Sequence, residues 1–127
     1  AGDQSIVVDV TLAVADSCAM VWFRYDGNRG YQLAACTDRL EMAQVGGAIV
    51  KSIGKAQSAT LRPGTRHQLS ITVAGPYATV AIDGATVIQG AVAGPNLAAG
   101  RIVLGVTGTR AASAAEARFA DLEVRAS

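Results

Sequence analysis

The chain is 127 residues long, 50% hydrophobic and 17% charged. That length suits one domain with a real core, expected to occupy residues 1–127, and the apolar fraction excludes a disordered chain. Lys and Arg number 11 against 10 Asp and Glu, a net charge of +1, which argues against a nucleic-acid partner because polyanion binding needs a basic stripe.

No apolar run approaches the ~18 residues of a membrane helix, so this segment is not expected to insert in a membrane. No basic stretch followed by an apolar run opens the chain. It is therefore expected to be either cytosolic or a processed or trimmed piece of a longer protein.

The dominant pattern is alternation. Ile6, Val8, Val10, Leu12 and Val14 are apolar at every second place, with Asp9 and Thr11 between them. A helix would repeat at three and four, so this is a half-buried strand. Val21, Phe23 and Tyr25 follow, then the turn cluster Asp26-Gly27-Asn28-Arg29-Gly30, then Tyr31, Leu33 and Ala35. Two alternating runs around a Gly/Asn-rich loop predict a hairpin. Leu40 and Met42 mark the next strand, and Ile49 to Ile53 a less distinct one. In Leu61-Arg62-Pro63-Gly64-Thr65, Pro fixes φ and Gly tolerates a positive one, so the segment reads as a tight turn. It leads into Leu69, Ile71 and Val73. Gly75-Pro76 turns into Ala78, Val80 and Ile82, and Asp83-Gly84 forms a hairpin turn into Thr86 to Ile88. Ile102, Leu104 and Val106 form another strand, Ala111 to Ala117 has room for one helical turn, and Leu122 and Val124 close the chain. Turn signals at this spacing predict an antiparallel sandwich or barrel.

The two cysteines are Cys18 and Cys36. Reduced thiols are the default in a cytosolic protein. In the hairpin, however, pairing 24 with 30 places 22 opposite 32 and 18 opposite 36. The cysteines then share one face of paired strands, within the ~7 Å Cα separation a disulfide needs. An oxidising compartment, and so export, would follow. Parity sorts the remaining side chains. Val21, Phe23, Tyr25, Tyr31 and Leu33 face the core. Met20, Trp22, Arg24 and Gln32 share the opposite face with the cysteines, and Arg39, Glu41 and Ala43 join it from the next strand.

The order of motifs is similar to that of a known superfamily. Ala19 to Tyr25, Tyr31-Gln32-Leu33 and Leu40-Glu41-Met42 resemble the central sheet of concanavalin A-like lectin/glucanase and laminin G-like domains. Leu61 to Leu69 resembles their turn before the "W-H-x-L/V" strand, with Arg66 where the family often has tryptophan. Ala78 to Gly84 resembles their "v-x-v-y-v-D-G" hairpin, Gly100 to Gly105 their "G-x-i-x-l-G" strand, and Phe119 to Val124 their closing "F-D-x-v-x-V" strand. The resemblance spans about Ile6 to Arg125. It implies an all-β fold, an antiparallel jelly-roll β-sandwich of two curved sheets, with the concave sheet often holding the ligand. It does not single out a function, because the superfamily holds sugar-binding modules, glycoside hydrolases and protein-binding modules of cell-surface proteins.

Glycoside hydrolysis needs two flanking carboxylates. The hydrolase branch supplies them as E-x-D-x-x-E on one strand, whereas Glu41 stands alone, with Ala43 and Val45 at its parity. No catalytic residue is therefore expected. His67 shares parity with Leu69 and Ile71, which predicts a core histidine bonded to backbone. No His/Cys cluster has zinc spacing.

Sugar recognition combines a flat aromatic surface with planar hydrogen-bonding groups, and Trp22, Arg24, Gln32 and Glu41 supply that mixture. They are the expected ligand-binding residues, unless Trp22 is covered and Arg24 pairs with Glu41. The loop rim of Asp26, Asn28, Arg29 and Tyr77 is a second candidate. Calcium is a further candidate through Asp121, because relatives carry it at the sandwich edge, although no run of alternating aspartates supplies enough oxygens; no other cofactor is expected. The function expected is a non-catalytic carbohydrate-binding module of an extracellular or cell-surface protein, with a cell-envelope or other glycan as partner. The alternative is a protein-interaction or sensory module of laminin G type in a larger membrane protein. The richness in Ala and Gly points to a bacterial source.

Overall fold

A computed structural model describes residues 4–15, 17–25, 29–46, 49–74, 77–91, 101–108 and 117–126. These residues form ten strands: β1 Gln4–Leu12, β2 Ser17–Tyr25, β3 Arg29–Cys36, β4 Arg39–Gly46, β5 Ile49–Gln57, β6 Arg66–Ala74, β7 Tyr77–Ile82, β8 Ala85–Ala91, β9 Arg101–Gly108 and β10 Ala117–Ala126. They make two five-stranded sheets. Sheet A runs β10-β1-β6-β7-β8 and sheet B runs β5-β4-β3-β2-β9. Every pairing is antiparallel. The chain changes sheet four times, after β1, β5, β8 and β9. This is the jelly-roll β-sandwich that the motif order implied.

The alternation explains the layers. Ile6, Val8, Val10 and Leu12 of β1 are buried against Val21, Phe23, Tyr31, Leu33, Leu40 and Met42 of sheet B. Leu69, Ile71, Val73, Ala78, Val80 and Ile82 complete sheet A's inner face. A one-residue slip would turn every one of these side chains to solvent, so the pattern fixes the register. Phe23 and Tyr31, directly opposite on β2 and β3, stack with ring centroids 5.6 Å apart, a contact worth about 1 kcal/mol beyond the area it buries. Burial also raises the Tyr31 hydroxyl above its ordinary pKa, an effect the charge of Arg24 partly offsets.

One side of the sandwich closes where β5 meets β8. There a Cβ on Gly90 would lie 2.9 Å from the Ile53 carbonyl oxygen and 2.9 Å from Met42 Cε, so only glycine lets the two edges approach this closely. On the opposite side β9 and β10 are edge strands, and Val106, Leu122 and Val124 are exposed there. The Asp83-Gly84 turn has φ of 52° and 85°, the two positive values a two-residue hairpin of matching twist requires. The strand beginning at Ile49 extends to Gln57, well past the Ile53 limit suggested by its apolar residues, because Lys51, Ser52, Lys55 and Gln57 lie on an edge strand that solvent reaches. Of the segment given room for a helical turn, Ala117 opens β10 and 111–116 lie outside the described residues.

Candidate functional site

The β2–β3 register pairs Cys18 with Cys36 and Trp22 with Gln32, as the hairpin arithmetic required. The cysteines form a disulfide, with Cα atoms 4.0 Å apart. It lies on the outer face of sheet B, where Cys18, Cys36 and Met20 make a second small buried cluster with Trp22 and Ala34 packed on it. Sequence parity placed these residues outward but gave no sign that they would be buried. Burial there comes from a tryptophan, a methionine and a disulfide sitting side by side on two strands.

Trp22 is half-buried. Its indole Nε1–H donates to Gln32 Oε1 on β3 at 3.0 Å. The far edge of the ring lies toward β9, where a Cβ on Gly105 would stand 2.9 Å from Trp22 Cζ3 and 3.2 Å from Cη2. The indole thus extends across β2 from one neighbouring strand to the other, anchored at its nitrogen and accommodated by the missing side chain of Gly105. Gly105 was absent from the sequence-based site; the only signal for it was its register opposite Met20.

The cross-strand rows on this face follow from the pairings. One runs Val103, Trp22, Gln32, Ala43, Ser52 and the next Gly105, Met20, Ala34, Glu41, Lys55. Glu41 is exposed and lies directly opposite Lys55. Together with Arg39 and Gln57 these two line a cleft of about 380 Å³. Among the described residues neither the Glu41 nor the Lys55 side chain takes part in an ion pair or hydrogen bond. Arg39 pairs with its neighbour Asp38 at 3.0 Å.

Arg24 departs from the expected row. The β2–β9 register shifts between Trp22 and Tyr25, and Arg24 sits in that bulge with φ 47°. A bulge breaks the alternation that assigned Arg24 to the Trp22 face. The side chain is 5% exposed and its charge acts on Tyr31, a core residue. The structure therefore brings Trp22 and Gln32 into contact, holds Glu41 on the same face two strands away, and withdraws Arg24 from solvent. Of the alternative rim, Tyr77 is exposed at the start of β7, while Asp26, Asn28 and the side chain of Arg29 lie outside what is described.

His67 also differs from expectation. Its partners are side chains, not backbone: Nδ1 lies 2.6 Å from Asp83 Oδ2 and Nε2 lies 3.0 Å from Thr65 Oγ1. The reason is position, since His67 is the second residue of β6 and lies between the side chains of Thr65 before it and Asp83 in the β7–β8 turn. Asp83 Oδ1 accepts the Gln68 N–H, and this bond, followed by that to His67, holds its carboxyl below the ordinary range. The hydroxyl–imidazole–carboxylate order has the shape of a nucleophilic relay. However, the Thr65 hydroxyl donates to the Arg62 carbonyl at 2.7 Å. Its single proton is directed there and not at the imidazole. The arrangement clasps the Leu61–Thr65 turn to the β7–β8 turn.

Across sheet A's outer face, Arg66 donates to Asp9 at 2.6 Å and to Asp121 at 2.8 Å. These bonds, Asp9 first, raise the guanidinium above its ordinary value. Asp121, the residue considered for calcium, thus has a cation of the protein as partner. Among the described residues no group of three or more His, Cys, Asp or Glu could hold a metal.

No family model matches the chain, and no curated protein does. Similar solved structures include a carbohydrate-binding module of Bacillus subtilis, with a TM-score of 0.81 at 16% identity over 98% of this chain and 75% of that one. Sheep galectin-11, in complex with glycerol, superposes with a TM-score of 0.74 at 15% identity, covering 98% of this chain and 91% of its own. A Caenorhabditis elegans galectin gives 0.70 at 12%, covering 98% and 83%. At these identities the likeness establishes the fold alone, a jelly-roll β-sandwich.

Proposed function

We propose that this chain is a non-catalytic, lectin-like carbohydrate-binding module that takes a glycan on the outer face of sheet B. The observation that carries this reading is Trp22. Its indole is laid across β2, held by Gln32 and half-exposed, which is how a protein presents an apolar ring face to the C–H groups of a sugar. Gln32, Glu41 and Lys55 supply hydrogen-bonding groups on the same face. That a carbohydrate-binding module and galectins have this fold supports the reading. The disulfide points to an oxidising compartment, hence to an extracellular or cell-surface protein.

A second reading has one observation in its favour. Val106, Leu122 and Val124 are exposed along the open edge of β9 and β10, which suits a protein-interaction module of laminin G type. A glycan array probed with the oxidised domain separates the two. The expected result is binding to a defined glycan class that Trp22→Ala weakens by about 30-fold, the ~2 kcal/mol of a central aromatic contact, with circular dichroism unchanged. Absence of any glycan signal overturns the carbohydrate reading and leaves the edge as the surface to pursue.

A further inference from the structure

Resting on the carbohydrate reading, we infer that the ligand of sheet B's outer face is a neutral oligosaccharide of about three sugar rings, laid across the strands from Trp22 to the Glu41–Lys55 pair. Trp22 is on β2, Glu41 on β4 and Lys55 on β5. At the ~4.8 Å spacing of neighbouring strands, Glu41 lies about 10 Å and Lys55 about 14 Å from Trp22 across the sheet. A pyranose ring with its glycosidic oxygen extends about one such spacing. A single ring stacked on Trp22 therefore leaves Glu41 and Lys55 untouched.

The ground between the two ends is low. Gln32 of β3 is drawn onto the indole by its hydrogen bond, and beyond it stand two alanines, Ala43 of β4 in the row of Trp22 and Ala34 of β3 in the row of Glu41. Each rises only a methyl above the sheet, while Trp22 stands on one side and Glu41 and Lys55 on the other. The result is a trough that crosses the strands, with an aromatic wall and a polar wall.

The polar wall is open. Directly opposite residues on antiparallel strands have Cβ atoms about 5 Å apart, close enough for a Glu–Lys pair to join. Glu41 and Lys55 are placed in that way, yet among the described residues they form no ion pair and flank a cleft of about 380 Å³. A carboxylate accepts from two adjacent hydroxyls and an ammonium donates to a third oxygen. Glu41 and Lys55 cancel in charge, and Asp38 balances Arg39, so the cleft favours hydroxyls over a charged sugar.

The test is a calorimetric titration of the oxidised domain with cello-, manno-, xylo- and chito-oligosaccharides, each from monomer to hexamer. The inference expects affinity in at least one series to climb tenfold or more between monomer and trimer and to level off beyond tetramer. Glu41→Gln should abolish that climb, read as the ratio of trimer to monomer affinity. Trp22→Ala should weaken every length, with Trp22→Phe retaining part of the binding as the check on folding. Equal affinity for monomer and trimer, or a climb that Glu41→Gln does not touch, overturns the extended site while the carbohydrate reading stands. No binding by any series, together with a blank array, overturns both.

Discussion

The cross-strand charges on the outer faces of the two sheets are held in opposite ways. On sheet A, Arg66 joins Asp9 and Asp121, and at the sandwich end His67 joins Asp83 and Thr65. On sheet B, Glu41 and Lys55 stand opposite each other and, among the described residues, form no ion pair, on the same face as a half-buried tryptophan. Paired charges of the first kind are committed within the fold and have little left to offer a ligand. Charges of the second kind gain partners only when something binds. The contrast supports the proposed placement of the glycan on sheet B.

The largest effect that tests this contrast concerns the disulfide. Cys18 and Cys36 are 18 residues apart in sequence, and closing a loop of that size stabilises a domain by about 3 kcal/mol. The double variant Cys18→Ser/Cys36→Ser should therefore lose roughly 10 °C of Tm. It should also lose glycan affinity, because Met20 and Trp22 pack on the bridge. A thermal melt and a titration on the same sample check this. Loss of stability with unchanged affinity would separate the bridge from the proposed glycan face.

A smaller and more local effect is expected at Gly105. A methyl there would stand 2.9 Å from Trp22 Cζ3, closer than carbon atoms approach without displacement. Gly105→Ala should tilt the indole and weaken binding several-fold, with a stability change below about 1 kcal/mol. If binding is untouched, the position of the indole over β9 does not matter to the ligand. Trp22 fluorescence, read before and after saturation, reports the displacement directly.

How much of this was legible beforehand differs between the strands and the site. The strands were legible because an antiparallel sandwich writes its register in period two. Ile6 to Leu12 and Leu69 to Val73 need no further information to be placed. The Cys18–Cys36 and Trp22–Gln32 pairings followed from hairpin arithmetic alone. Parity failed at Arg24, where a bulge inserts one residue that nothing in Trp22-Phe23-Arg24-Tyr25 announces. Gly105 and Lys55 were missed because they join the face from β9 and β5. The register of Gly105 depends on a connection that changes sheet, and that of Lys55 on a bulge between Met42 and Ala43. His67 shares the inward parity of its strand, but its place between Thr65 and the β7–β8 turn gives it side-chain partners instead of backbone ones.

The smallest expected effect belongs to the committed charges. Asp83 is held below its ordinary value of 3.8, first by the Gln68 N–H and then by His67. A carboxyl whose folded value lies below its unfolded one contributes stability that is fully present above the unfolded value. That stability is lost as pH falls through the folded value. Asparagine tolerates the positive φ of this turn position and can still accept the Gln68 N–H, but it offers His67 no charge. Asp83→Asn should therefore lower Tm modestly at neutral pH, by an amount that shrinks as pH falls below about 4 and disappears once the wild-type carboxyl is protonated. Glycan affinity at neutral pH should not change, because the clasp lies at the end of sheet A and the trough on the outside of sheet B. Thermal melts of both proteins from acid to neutral pH decide the first point. A Tm difference that stays constant across that range would mean that the charge of Asp83 contributes nothing to the clasp and that its backbone hydrogen bond alone holds the turn.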